Sequence, residues 1–423
     1  MSLKSRLSQL QSQAGAGFAT NNSSGNANEL RQRLARLKPE QRIRAATARP
    51  GLSELALVRS LGGEVISDGL IRIRQQIPLA GRCGTVALCE LEREPHLPGE
   101  TQETGRAGIY FDTETTGLSG GSGTLAFLIG SARLSTEAIE LDQWLITRFA
   151  AEPVMLTTFA NHLRADDRLV SYNGKSYDLP LLLTRYRMQA LPHPFTALPH
   201  LDLLHPVRRL FGRSWPDCRL ATLEQHLLGL SRHHDLPGAE APTAWFDYVR
   251  KGDGERLIRV VEHNRQDVLS LVLAHRLLTK AIRHPVSYKV DLTALARWLG
   301  ENDPAAARHL LQTHIKDLDD AGKRLLGRFA RRDGDWQQAV RIWQELATRG
   351  CTQSLERLAK YHEHISRDLI SAQHYSEQLP AEARHQQRRL RLAKKRIPDQ
   401  NSLFEVSSHP SKEGVVQEKC RVD

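Results

Sequence analysis

Apolar positions along the chain fall into three successive rhythms. From Gly108 three strand-like runs follow one another, Ile109 to Phe111, Leu125 to Leu134 and Ile139 to Phe149. They lie close enough in sequence to predict an antiparallel meander. A helical pattern over Val154 to Leu163, a short strand over Leu169 to Tyr172 and a second helix over Leu179 to Met188 come next. That alternation predicts a mixed sheet with helices packed on its faces. A long helix is expected from about Glu255 to Ile282, where Leu257, Val260, Val261, Val268, Leu271 and Val272 keep near-helical spacing.

Past Tyr288 the pattern is helical throughout and repeats. Trp298, Phe329 and Tyr361 stand 31 and 32 residues apart, and Ala306, Ala339 and Ala372 stand 33 apart. Both spacings approach the ~34-residue period of tetratricopeptide repeats, with an ordinary helical bundle as the alternative. Five segments follow from these rhythms: a basic, mostly disordered stretch over 1–50, an extension over 51–104 that packs on the next unit, an α/β domain over 105–284, helical repeats over 288–397 and a disordered tail over 398–423.

Composition narrows the class. Apolar residues make up 40% and charged residues 25% of 423, which describes a soluble globular chain. Apolar runs such as Leu125 to Gly130 are far shorter than the ~20 residues of a bilayer span, and the N-terminus has no secretory core, so a cytoplasmic protein without membrane contact is expected. Cys83, Cys89, Cys218, Cys351 and Cys420 are odd in number and never spaced as C-x-x-C, which argues for reduced thiols. A net charge of +11 favours a polyanionic partner. Much of that charge is concentrated in two basic flanks, Leu30 to Arg49 and Ala381 to Pro398.

Chemistry gathers in three places. In FDTETTGL, Asp112 and Glu114 leave the end of a strand two residues apart and so on the same side. In SYNGKSYDLPLL, Asn173, Tyr177 and Asp178 make an N-x-x-x-Y-D pattern where a strand gives way to a helix. In EHNRQDVLSL, His263 and Asp267 are four apart and share a helix face. Each acid alone is more often a solvated or capping residue. Together they form a set of hard oxygen ligands suited to Mg²⁺ or Mn²⁺, with His263 placed as a general base, which is the equipment of phosphodiester cleavage by two metal ions.

In these motifs the sequence resembles the DEDD superfamily of 3′–5′ exonucleases with a ribonuclease-H-like fold, and within it the bacterial YprB-type proteins. LSGGSGTLAFLIG from Leu118, HLDLLHPVRRLFG from His200 and CRLATLEQHLLG from Cys218 carry the closer match. The resemblance implies that Asp112, Glu114, Asp178 and Asp267 bind two metal ions and that His263 assists deprotonation of water. It implies DNA rather than RNA as substrate, and a repair role beside a helicase, since the chain has no motor motif of its own. One departure stands out: His263 precedes Asp267 by three intervening residues, the spacing at which the superfamily carries Tyr.

Substrate grip is expected from Lys175, Asn173, Tyr177, Arg208 and Arg209, with Arg185, Arg187 and Arg213 in support. Lys175 follows Gly174, but Leu169 stands where a P-loop needs glycine. Tyr177, Trp215, Trp245 and Phe246 could stack bases or lie in the core. Two other functions fit parts of the pattern: a non-catalytic nucleic-acid scaffold whose helical repeats hold a protein partner, and a structure-specific endonuclease. An intact acid set argues against the scaffold, because a pure binder has no use for like charges facing a polyanion.

Overall fold

The computed structural model describes residues 52–91, 95–99, 107–117, 123–232 and 236–396. The segment expected over 1–50, the tail over 398–423 and Gly120 and Gly121 lie outside the described residues. Compact packing divides the chain after Gly51, and everything below belongs to the unit that begins at Leu52.

That unit opens with α1 (Glu54–Leu61), β1 (Glu64–Ser67) and β2 (Leu70–Pro78), followed by a small hairpin of β3 (Arg82–Cys83) and β4 (Val86–Ala87). The expected meander is β5 (Ala107–Thr115), β6 (Ala126–Leu134) and β7 (Ala138–Ile146). Then come α2 (Glu152–His162), β8 (Asp167–Ser171), α3 (Asp178–Met188), β9 (His200–Asp202) and α4 (Leu204–Phe211). A short α5 (Leu220–Leu223) runs into a π-helical turn over Glu224–Leu228, and α6 (Ala241–Lys251) leads to α7 (Glu255–Arg283).

Seven strands form one mixed sheet in the order β1-β2-β7-β6-β5-β8-β9. β5 pairs antiparallel with β6 and parallel with β8, and β8 pairs parallel with β9. The stretch expected to pack on the α/β domain therefore adds two strands to its sheet, with β2 paired to β7 from Leu70↔Ile146 to Pro78↔Ala138. Its Ile-Arg-Ile-Arg alternation is that of a strand covered on both faces. Ile71 and Ile73 enter the core, while Arg72 and Arg74 pair with the nearly buried Asp142 at 2.7 and 3.2 Å.

Helices cover the two faces of the sheet. Ile109 and Phe111 of β5 join Trp144, Met155, Phe159 and Leu182 in one core, and Tyr110 joins Val170, Leu203, Phe211 and Leu271 in the other. Helix α7 contributes to both, through Leu257, Val260 and Val261 near its start and Val268 to Leu278 beyond.

The C-terminal region is helical: α8 (Leu292–Leu299), α9 (Pro304–Thr313), α10 (Asp320–Arg332), α11 (Trp336–Thr348), α12 (Thr352–His364), α13 (Leu369–Glu377) and α14 (Ala383–Arg396). Asp291, Asp303, Asp319, Asp335 and Asp368 each cap one of these helices by accepting from a backbone N–H, an arrangement worth ~1 kcal/mol apiece. Trp298, Phe329 and Tyr361 lie on α8, α10 and α12, and Ala306, Ala339 and Ala372 on the following α9, α11 and α13. The repeating marks thus fall on first and second helices of consecutive pairs.

Candidate active site

Strand β5 and helix α7 run against each other in register. Tyr110, Asp112 and Glu114 alternate onto the face of β5 that meets α7. The Tyr110 hydroxyl lies 2.9 Å from His275 Nδ1 and accepts from Arg276 at 2.6 Å. One stage along, Asn264 Nδ2 donates to Asp112 Oδ2 at 3.0 Å and to the Asp112 carbonyl at 3.3 Å. Further on, His263 Nε2 stands 3.9 Å from Glu114 Oε1 and 3.5 Å from Asp267 Oδ2. Asn264 is itself fully buried and accepts from Gln143 Nε2 of β7 at 2.9 Å. A three-element relay, β7 to α7 to β5, therefore fixes the Asp112 carboxylate.

Asp178 arrives from the other side of β5. Parallel pairing with β8 covers only Ala107 to Tyr110, so the end of β5 that carries the acids projects past its neighbour. β8 turns away at Ser171, and the chain returns to place Asp178 at the first residue of α3, where Thr113 Oγ1 donates to its Oδ1. The intervening turn needs Asn173 at φ 65 and a glycine at 174, where a Cβ would come within 2.4 Å of Ser171 Oγ and 3.2 Å of Asp178 Oδ2. Asp202 organises this turn by accepting from the backbone N–H groups of Asn173 and Lys175, at 2.7 and 3.1 Å, as well as from that of Leu204 at 3.1 Å.

Asp112 is held well above the usual carboxylate range by burial, and then by the charges of Asp267, Asp178 and Glu114. Burial pushes Asp178 up to about 6. Asp267 is raised by burial against the opposing pull of His263 and Arg232.

Arg232 is the cation that reaches this set. Its Nε and Nη2 donate to Glu224 of the π-helical turn at 2.5 and 2.9 Å, Nη2 also donates to Asp267 Oδ1, and Nη1 lies 3.2 Å from His263 Nδ1. Glu224 is fully buried and accepts a further hydrogen bond from Ser270 at 2.5 Å. A guanidinium can only donate, so His263 Nδ1 is the acceptor and the neutral ring carries its hydrogen on Nε2. That hydrogen points toward Glu114 and Asp267.

Four desolvated carboxylates offering hard oxygen donors fit a divalent cation by their chemistry. Among the described residues, no group of three or more His, Cys, Asp or Glu side chains stands in cation-holding geometry. Oxygens of Asp112, Asp178 and Asp267 instead accept from Asn264, Thr113 and Arg232 respectively.

Other expected contact residues separate into two groups. Lys175, Tyr177, Arg208 and Arg209 are exposed, with Tyr177 62% accessible immediately before Asp178. Arg209 lies over the Trp298 ring and pairs with Glu301 at 2.9 Å. Arg185, by contrast, is buried, its Nε and Nη2 donating to Glu152 at 2.5 and 2.6 Å, so it braces α3 against α2 and does not face a substrate. Trp245 is a core residue donating to the Ile146 carbonyl, and Trp215 stacks between Phe211 and His226. Of the basic C-terminal flank, Arg388, Arg391 and Lys395 reach Glu363, and Arg389 donates to the Ser376 carbonyl.

A family model described as RNase_H superfamily matches residues 109–279. "Uncharacterized protein YprB" of Bacillus subtilis (strain 168) is 29% identical over 392 residues, covering 85% of this chain and 93% of that protein. Among solved structures, the family B DNA polymerase of Pyrobaculum calidifontis aligns with TM-score 0.35 at 14% identity, over 58% of this chain and 34% of that one. E. coli Exonuclease I in complex with a dT13 oligonucleotide aligns with TM-score 0.29 at 13% identity, over 49% of this chain and 46% of that one. The chain thus spans less than half the length of either structure. The fold over residues 109–279 is therefore RNase H-like, within a chain similar over most of its length to the Bacillus subtilis protein.

Proposed function

We propose that the chain is a metal-dependent nuclease that removes nucleotides from a 3′ end by a two-metal-ion mechanism, with DNA favoured over RNA. The observation that carries this reading is the approach of Glu114, Asp178 and Asp267, from β5, α3 and α7, to Asp112, whose carboxyl is raised by burial and by the charges of the other three. Such repulsion at Asp112 is unfavourable for folding, and a cationic ligand would relieve it. When bound, Mg²⁺ or Mn²⁺ held by these four side chains would neutralise charge at the phosphoryl group and activate water.

The chain's own residues have distinct parts in this scheme. Asn264 and Thr113 orient Asp112 and Asp178. His263 serves as general base only when Arg232 withdraws from Nδ1, because the Nε2 lone pair becomes free once the hydrogen moves to Nδ1. Lys175, Arg208 and Arg209 offer cations to backbone phosphates, and Asn173 and Tyr177 flank the path to Asp178. We assign the helical pairs to tetratricopeptide-like binding of a protein partner, and the activity to cytoplasmic DNA repair with a helicase that opens the duplex.

The test is digestion of 3′-labelled and 5′-labelled single- and double-stranded DNA and RNA by the purified full chain with Mg²⁺ or Mn²⁺, beside Asp112→Ala. Stepwise mononucleotide release from the 3′ end, lost in the variant, supports the reading. Internal fragments from the first time point would make the protein an endonuclease, and binding without cleavage would make it a scaffold.

A further inference from the structure

Beside the candidate active site, along the free edge of β9, lies a second feature, which shares Lys175 and Arg209 with the substrate-gripping residues but has walls that the hydrolytic scheme does not use. A cavity of about 390 Å³ is walled by β9, the segment Leu97 to Gly99, helix α4 and Trp298 of α8. Its volume falls within the range of small-molecule sites. Arg168 from the start of β8, Lys175 from the turn before α3, and His205 and Arg209 from α4 all line it. His205 and Arg209 are one helical turn apart and so share a face. Asp202 is the acid among the described lining residues. It is only 2% exposed, and its oxygens already accept from three backbone N–H groups, so little of its charge is left for the cavity.

Apart from His200, the remaining wall is apolar, made chiefly by Leu97, Leu201, three prolines and the Trp298 indole under the Arg209 guanidinium at 5.1 Å. The exposed Arg209–Glu301 pair at 2.9 Å is of the weak surface kind, and an incoming anion can displace it. Cations from three elements converging beside an apolar wall match a phosphate attached to a flat organic body, since Arg and Lys hold phosphate oxygens while the wall takes the rest. We infer that this cavity binds one nucleoside monophosphate unit, either a nucleotide released by the neighbouring site or a unit of the strand leading away from it. Lys175, which lines the cavity, stands three residues before Asp178 in the chain. The choice of a nucleotide as ligand rests on the nuclease reading; the phosphate-binding character does not.

Calorimetric titration of the full chain in EDTA tests the inference, because no divalent cation is then available to the carboxylate site. The probes are thymidine 5′-monophosphate, thymidine and a short oligothymidylate, and the proteins are wild type, His205→Glu, Arg168→Gln and Asp112→Ala. The monophosphate should bind wild type while thymidine does not. His205→Glu and Arg168→Gln, checked for native unfolding temperature, should each weaken it about tenfold or more, the loss expected for one charge-assisted contact. Asp112→Ala should bind as wild type does. A parallel loss of oligothymidylate affinity in the two cavity variants marks a strand as the occupant, and a loss confined to the monophosphate marks the released nucleotide. Absence of binding, equal binding of thymidine, indifference to both cavity variants, or loss in Asp112→Ala would overturn the inference. Binding that behaves as expected in a protein without metal-dependent cleavage would instead defeat the nuclease reading and leave the cavity's role standing.

Discussion

Gly130 of β6 is the residue on which the orientation of Asp112 most sharply depends. It pairs with Asp112 across the sheet, and a Cβ built there would lie 2.1 Å from Asn264 Oδ1 and 2.9 Å from Val268 Cγ2. Neither neighbour can yield cheaply. Asn264 is clamped between Gln143 and Asp112, and Val268 is a fully buried residue of α7. Gly130→Ala should therefore carry an overpacking cost of ~1–3 kcal/mol and lose the hydrogen bond from Asn264 to the Asp112 carboxylate, worth ~1.5–3 kcal/mol, for a total near 4 kcal/mol. Asn264→Ala alone loses that bond without the clash, at ~2 kcal/mol. In the double variant the bond is lost only once and the new methyl enters space the amide has left, so the combined loss should fall short of the ~6 kcal/mol sum by ~2–4 kcal/mol. Urea unfolding of the four proteins in EDTA measures this coupling, provided the denaturant slopes agree. Cleavage should stay impaired in the double variant, because recovered packing does not replace the Asn264 donor. Additivity within ~0.5 kcal/mol, or a Gly130→Ala protein as stable as wild type, would refute the relay from β7 through α7 to Asp112.

Other consequences follow from the same geometry. Asp178, pushed up to about 6, holds a proton more tightly in the folded than in the unfolded chain, so its cost to stability is absent below about pH 4, grows toward pH 6 and is complete above. Asp178→Asn should then be the more stable protein in EDTA near pH 7, by on the order of 2 kcal/mol, with the gap closing near pH 4; thermal unfolding across that range would expose an unchanging gap as a contradiction. Arg232→Ala strands the fully buried Glu224 and should cost ~3–5 kcal/mol in EDTA, most of it regained when Glu224→Leu is added; denaturant unfolding checks both. Arg185→Ala breaks the buried pair with Glu152 and should lower stability by a similar ~3–5 kcal/mol, while the cleavage rate per folded molecule stays at the wild-type value. A cleavage rate that drops in Arg185→Ala would return Arg185 to the substrate-gripping residues.

Much of the α/β architecture could be read from the chain because strand and helix periods there are long and regular. The carboxylates were legible for a local reason, since Asp112 and Glu114 end an apolar strand and Asp267 sits one turn beyond His263. Asn264 left a trace that sequence reasoning passed over: Leu257, Val261, Asn264 and Val268 lie on one stripe of α7, so a polar side chain interrupts a core-facing row. Arg232 left none. It lies in a segment without periodicity, and only the fold brings it to Glu224, 8 residues away, and to Asp267, 35 residues away. β2 escaped because nothing near it in the chain reveals that its arginines pair with Asp142 of β7. Arg185 misled for the complementary reason, as charge in a sequence does not reveal that its partner, Glu152, is 33 residues distant and buried.

The central claim, that Asp112, Glu114, Asp178 and Asp267 act together as a divalent cation site, is tested most directly by counting Mn²⁺ bound to the full chain by electron paramagnetic resonance, for wild type and Asp112→Asn. The account predicts about two ions per wild-type chain and a clear loss in the variant. No bound Mn²⁺ in wild type, or the same number in Asp112→Asn, would contradict it.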